Sequence, residues 1–166
     1  MDVKEIGLKY LEENKYQELE ELLKDHKDSN DPLILYLLGS LYNKNREFSK
    51  AFTCFSRSAS MGEPQGERAL GIYYFLGNGT PVDTEKGFYY LKLAASHGLT
   101  LALCSLAHVY MNGIGVDKDE YQGYLYYLEA SEKGNKHAIE HLIECYTKGI
   151  GIPIDLEKAN ELKKRL

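Results

Sequence analysis

Three segments of the chain align on one another at a constant spacing of 36 residues. The aligned positions are Tyr74, Tyr110 and Tyr146, then Gly77, Gly113 and Gly149, then Asp83, Asp119 and Asp155. Self-similarity at a period of about 20–50 residues is typical of repeat proteins, in which each unit packs on its neighbours. The period therefore predicts an extended surface rather than an enclosed reaction chamber, which disfavours a small-molecule ligand and a cofactor.

Each 36-residue unit has the pattern of two helices joined by a tight turn. Leu70, Tyr73 and Tyr74 follow helical spacing, and the glycine pair that begins at Gly77 then ends the helix. We expect these glycines to have positive φ, because glycine enters the left-handed region at little cost. Asp83 is a natural N-cap for the second helix. The fold class predicted is all-α, a right-handed α-solenoid of about five stacked antiparallel helix pairs.

The whole chain, residues 1–166, is predicted to be one repeat domain of five parts. An acidic helix pair occupies residues 1–30, and a shorter repeat without the glycine pair occupies residues 32–62. Three full repeats follow, at residues 65–98, 99–134 and 135–166.

The full repeats read Leu-x-x-x-Tyr-x-x-Gly-x-Gly-x-x-x-Asp-x-x-Lys, followed by Ala-Ala-x-x-Gly, as in Leu70 to Gly98. This pattern resembles the Sel1-like repeat of the tetratricopeptide superfamily. The shorter repeat at residues 32–62 is similar to a plain tetratricopeptide repeat. The resemblance implies an adaptor that binds other proteins, and it implies no reaction.

Charge and hydropathy limit the classes of partner. Residues 1–30 carry nine acidic and five basic residues, which gives −4 of the net charge of −5. The chain has no basic stripe, so nucleic acid is not expected as a ligand. Residues 1–25 lack the apolar segment of a signal peptide, and no apolar run is long enough to cross a membrane. We therefore expect a cytoplasmic protein without a membrane partner.

One motif could suggest catalysis. His137, Glu140 and His141 spell H-x-x-E-H, the inverted zinc-protease motif, and the two histidines share a helix face on which they could ligate one metal ion. The 36-residue pattern already assigns core positions to this region, so the region needs no metal to explain it. Few residues follow the motif, so there are few from which a third ligand could come. We therefore predict no catalytic residues and no metal ligands, and keep a zinc hydrolase as the less favoured alternative.

The partner site is predicted on the first helices of the repeats, which line the concave side of such a stack. The candidates are first-helix residues outside the repeat core. They are Tyr36, Ser40, Asn43, Arg68, Ile72, Phe75, Cys104, His108, Met111, Glu140, Glu144 and Thr147.

The middle of this set is apolar and its edges are polar, as expected of a surface that binds a protein or peptide. The sequence thus predicts a non-enzymatic scaffold or adaptor. An immunity protein that neutralises one cognate toxin is a narrower alternative, and the acidic face of residues 1–30 is an alternative location for binding.

Overall fold

The computed structural model describes residues 2–166, which form ten α-helices and no strand. The helices are α1 (Val3–Glu12), α2 (Tyr16–Leu23), α3 (Pro32–Lys44), α4 (Phe48–Ser60), α5 (Pro64–Leu76), α6 (Thr84–Ser96), α7 (Thr100–Asn112), α8 (Glu120–Glu132), α9 (Lys136–Lys148) and α10 (Leu156–Lys163). A short 3-10 helix, Lys24–His26, follows α2. Consecutive helices pack in pairs, and the predicted all-α architecture is confirmed.

The chain forms two compact units, and the boundary between them lies within α6. The first unit ends at Tyr90, and the second comprises Leu91–Leu166. In the first unit, the core packs leucines of α2 and α3 together, while Phe55 and Tyr73 join α4 to α5. In the second unit, Leu142 and Ala130 belong to one cluster drawn from α7, α8, α9 and α10.

The turns after Tyr74, Tyr110 and Tyr146 have the same backbone form, as predicted. Both glycines of each turn have φ between 64° and 74°. The helix that precedes each turn ends with a left-handed C-cap at the first glycine. The second glycine of the last turn, Gly151, lies so close to Glu120 that a Cβ there would be 2.5 Å from its backbone carbonyl. Close packing adds a second reason for glycine at that position.

The aspartate that follows each turn connects the two helices of a repeat. The backbone amide of Asp83 donates to the Tyr74 carbonyl at 3.0 Å, and the equivalent bonds from Asp119 and Asp155 measure 2.9 and 2.8 Å. Each carboxylate also accepts from a backbone amide three residues later, which caps the second helix. In the first of these repeats, Lys86 forms an ion pair with Asp83 and lies 5.3 Å from the centre of the Tyr74 ring. The constant spacing of the tyrosine, the aspartate and the lysine therefore comes from one set of contacts, which joins the two helices of the repeat and caps the second helix.

Candidate functional site

A cleft of about 250 Å³ opens between α3 and α5 in the first unit. Its walls come from both helices, from Phe55 of α4 and from Asn78 of the following turn. Five of the predicted site residues line it together: Tyr36, Ser40, Asn43, Arg68 and Ile72. These five residues come from two successive repeats, in which equivalent positions such as Ser40 and Ile72 are 32 residues apart because the first repeat is shorter.

The floor of this cleft is held by a ring contact and a hydrogen bond. The rings of Phe55 and Tyr73 meet edge to face, with centroids 5.0 Å apart. The Tyr73 hydroxyl donates to Oδ1 of Asn43 at 2.7 Å. Burial raises the pKa of Tyr73 to about 12, so its hydroxyl stays protonated and remains a donor at neutral pH. These two contacts connect α3, α4 and α5 beneath the cleft.

The rim of the cleft combines apolar and polar groups. Ile72 is half-buried, and Leu76, one helical turn further along α5, is 54% exposed. Arg68 and the amides of Asn43 and Asn78 supply polar hydrogen-bonding groups. The lining includes one cation and no acidic residue, although the chain as a whole is acidic. This arrangement can receive an apolar side chain next to an acceptor or a negative charge.

Two predicted site residues are buried and do not face solvent. Phe75 is only 6% exposed, because its ring packs edge to face on Phe88 and fills the space over Gly87 of α6. Cys104 is 7% exposed, because the chain that enters α9 covers it and its Sγ lies 3.6 Å from Oδ1 of Asn135. The expectation that these side chains lie outside the repeat core is wrong.

A second cavity, of about 240 Å³, lies in the second unit among α7, α8 and α9. Three predicted site residues line it: His108, Met111 and Glu144. Tyr127, His141 and Cys145 also line it. Burial raises the pKa of the Cys145 thiol to about 11, so the thiol stays protonated and is a poor nucleophile at neutral pH.

The remaining predicted residues, Glu140 and Thr147, are exposed on α9 outside both cavities. Within residues 2–166, no group of three or more histidine, cysteine, aspartate or glutamate side chains is arranged to hold a metal ion. The H-x-x-E-H motif therefore contributes two neighbouring imidazoles without a third ligand.

Sequence reasoning missed several residues that line the cavities, among them Leu76, Asn78, Asn112 and Ile150. The sequence could have predicted Leu76, because it follows Arg68 and Ile72 at steps of four residues and so lies on the same face of the helix. Asn78 and Ile150 lie in the turns, whose path around the cavities the helical pattern did not predict.

The acidic N-terminal pair has a surface recess of its own. Tyr10 of α1 and four residues of α2, including Glu18 and Glu21, line a depression of about 500 Å³. It differs from the cleft between α3 and α5 in that its charged residues are acidic. None of the helices in the described part of the chain is long and apolar enough to cross a bilayer.

The family of this chain follows from its repeats. The Sel1 repeat model matches residues 34–63, 64–99, 100–135 and 144–162, so the chain belongs to the Sel1 repeat family. The first match covers the segment whose sequence resembles a plain tetratricopeptide repeat. Sel1 repeat proteins are typically non-catalytic scaffolds that bind other proteins.

One curated relative matches part of the chain. Over 94 residues the chain is 33% identical to the uncharacterized protein NMB1327 of Neisseria meningitidis serogroup B; this stretch is 55% of the chain and 20% of that relative. The match thus spans only about one fifth of that protein's length.

Two solved structures share the fold. The chain matches a Sel1 repeat protein from Oxalobacter formigenes with a TM-score of 0.73 and 23% identity, over 98% of this chain and 68% of the other. It matches c5321, a protective antigen present in uropathogenic Escherichia coli strains, with a TM-score of 0.71 and 22% identity, over 98% of this chain and 37% of the other.

Proposed function

We propose that this protein is a non-enzymatic scaffold that binds a partner protein or peptide on the first helices of its repeats. The observation that carries the proposal is the cleft between α3 and α5, where an apolar centre adjoins polar groups. Interfaces commonly have an apolar centre and a polar rim, and they commonly use arginine and tyrosine as anchors. The membership of the chain in the Sel1 repeat family supports the same proposal.

The cleft suits a short segment with an apolar side chain beside an oxygen acceptor. Ile72 and Leu76 offer aliphatic surface to the apolar side chain. Arg68 and the amides of Asn43 and Asn78 are suited to donate to a backbone carbonyl or carboxylate of the partner. The cavity volume, about 250 Å³, suits a few side chains rather than a whole cofactor.

Binding needs little rearrangement of the scaffold. The edge-to-face pair of Phe55 and Tyr73 and the hydrogen bond from Tyr73 to Asn43 fix the floor of the cleft before a partner arrives. A preformed surface loses less conformational entropy on association than a flexible one. The cleft therefore acts as a rigid receptor for a segment that conforms to it.

The test begins with a partner recovered by affinity capture on the full chain and verified by binding of the two purified proteins. Ile72→Ala and Arg68→Ala should each weaken that complex by about tenfold or more, as truncation of an interface anchor does. Met61→Ala is the matched control, because Met61 is 48% exposed at the end of α4 and lies outside the cleft. Circular dichroism shows whether each variant keeps its helices.

Wild-type affinity in folded Ile72→Ala and Arg68→Ala variants would contradict the cleft assignment. Glu18→Gln and Glu21→Gln then test the acidic recess of the N-terminal pair, which a basic partner would occupy. The identity and stoichiometry of the partner separate a general adaptor from a protein that neutralises one toxin, since the latter forms a tight one-to-one complex.

A further inference from the structure

His137 and His141 of α9 lie one helical turn apart, and their imidazole rings turn the same edge toward each other. The two Nε2 atoms are 3.3 Å apart, whereas the ring centroids are 4.5 Å apart. The nitrogens are closer to each other than the ring centres are, so both Nε2 atoms lie on the inner side of the ring pair. The rings are nearly perpendicular, with an interplanar angle of 82°.

The opposite nitrogen of each ring faces a carboxylate. Nδ1 of His137 lies 3.7 Å from Oε2 of Glu140, and Nδ1 of His141 lies 3.9 Å from Oε2 of Glu144. Both distances are too long for a hydrogen bond, but the two carboxylates place negative charge beside the pair, which favours a bound cation. At 3.3 Å the two Nε2 atoms can share one proton in a hydrogen bond, and a metal ion bound to both nitrogens would take the place of that proton.

A zinc ion fits this separation. With zinc–nitrogen distances of about 2.0–2.1 Å, two nitrogens 3.3 Å apart subtend an angle of about 107° at the metal, close to the tetrahedral value. We propose that His137 and His141 chelate one divalent zinc-class metal ion through their Nε2 atoms. Two ligands leave the other coordination positions to water or to a donor from another molecule, so this is a binding site rather than a catalytic centre.

The surroundings suit metal entry. The His137 side chain is 60% exposed and that of His141 is 35% exposed, so an ion can enter directly from solvent. The His141 ring stacks on Tyr127, with centroids 4.5 Å apart and an interplanar angle of 14°, which fixes its orientation.

The experiment titrates zinc chloride into the tag-free full chain and follows the imidazole resonances by NMR. The chain has five histidines, and we expect the signals of two to move together and saturate at one zinc per chain. His137→Ala should weaken binding by more than about tenfold, because a single exposed imidazole is a poor zinc site. Magnesium chloride should move neither signal, since magnesium prefers oxygen ligands.

Two control variants separate the pair from other histidines. His97→Ala, at an exposed position after α6, should bind zinc as the wild type does. His108→Ala should also leave binding unchanged, although His108 lines the cavity beside His141. His137→Ala carries the test because His137 is the more exposed of the two, whereas His141→Ala removes the stacking contact with Tyr127.

Three results would overturn the assignment. The first is that no imidazole signal responds to millimolar zinc, which would leave the pair sharing only a proton. The second is that folded His137→Ala binds as tightly as the wild type. The third is that His108→Ala weakens binding as much as His137→Ala, which would place the ion elsewhere.

Discussion

Replacing Phe75 by alanine tests how the repeats pack, because this side chain fills the space between α5 and α6. Its ring is 6% exposed and meets the Phe88 ring edge to face at 5.0 Å. A Cβ built on Gly87 would lie 2.6 Å from the Phe75 ring, so the absence of a side chain at Gly87 makes room for the aromatic ring. Truncation to alanine leaves a cavity that the two helices can close only in part.

The expected loss is about 3–5 kcal/mol of the free energy of unfolding, as for other buried phenylalanines. This figure includes about 0.5–1.5 kcal/mol for the lost edge-to-face contact with Phe88. A domain typically has only about 5–15 kcal/mol in total, so the variant should be marginally folded. For a chain of this size the melting temperature should fall by at least about 6 °C.

Urea unfolding followed by circular dichroism at the helical band measures the loss. Leu76→Ala, one residue along the same helix and 54% exposed, is the control and should change the free energy of unfolding by less than about 0.5 kcal/mol. Gly87→Ala should cost about 1–3 kcal/mol through overpacking against the Phe75 ring. Combined with Phe75→Leu, the Gly87→Ala change should cost less than it does alone, because the smaller side chain frees space for the added methyl group.

A loss below about 1 kcal/mol for Phe75→Ala would refute this account, and so would strict additivity of the two changes at Phe75 and Gly87. The outcome also decides how binding data are interpreted. If Phe75 is core, a loss of partner binding in Phe75→Ala reports unfolding rather than contact. Ile72→Ala, at the rim of the cleft, then becomes the informative variant.

Three further predictions concern the turns and the buried tyrosines. Gly134→Ala should lower the free energy of unfolding by about 1 kcal/mol, because its φ of 81° alone disfavours a side chain. Gly151→Ala should lower it by about 1–3 kcal/mol more, because the added Cβ would also meet the backbone of Glu120. Urea midpoints compare the two variants. Tyr146→Phe removes a 2.8 Å hydroxyl–hydroxyl hydrogen bond to Tyr124 and should cost about 1–2 kcal/mol in the same assay, and a neutral result would contradict it. Burial is the main cause that raises the pKa of three tyrosines to about 12: Tyr73, Tyr124 and Tyr127. The folded state holds these protons more tightly than the unfolded chain does. The stability that they contribute is therefore present below about pH 10 and is lost as the pH rises towards 12. The urea midpoint should be lower at pH 11 than at pH 9, and equal midpoints would contradict this prediction.

The turns and helix pairs could be predicted from the sequence because their determinants are local. A left-handed residue after a helix needs glycine, and the next helix needs a cap a few residues later. Gly113, Gly115 and Asp119 meet these requirements within seven residues, and the structure confirms each of them. Because the same residues recur at a spacing of 36, the same prediction applied to the neighbouring repeats.

The site was harder to predict, because the repeat period does not report how each helix is rotated about its axis. Tyr73 packs toward Phe55 of α4, while Phe75 packs toward Gly87 of α6, so α5 is buried on two sides. A helix with neighbours on two sides keeps only a narrow exposed stripe. The hydrophobic pattern alone could not separate that stripe from the two packed faces.

The stripe on α5 runs through Arg68, Ile72 and Leu76, at steps of four residues. Phe75 was predicted to lie on this stripe in place of Leu76. One residue along a helix is a rotation of about 100° about its axis, so the Phe75 side chain faces the neighbouring helix and not solvent. The chain carried a signal that would have corrected this choice, since Gly87 follows Phe75 by twelve residues and Gly123 follows Met111 by the same interval. In both pairs a Cβ on the glycine would lie 2.6 Å from the larger side chain. A glycine that recurs inside the second helix thus identifies the first-helix side chain packed against it, and where that side chain is aromatic, as in Phe75, it belongs to the core.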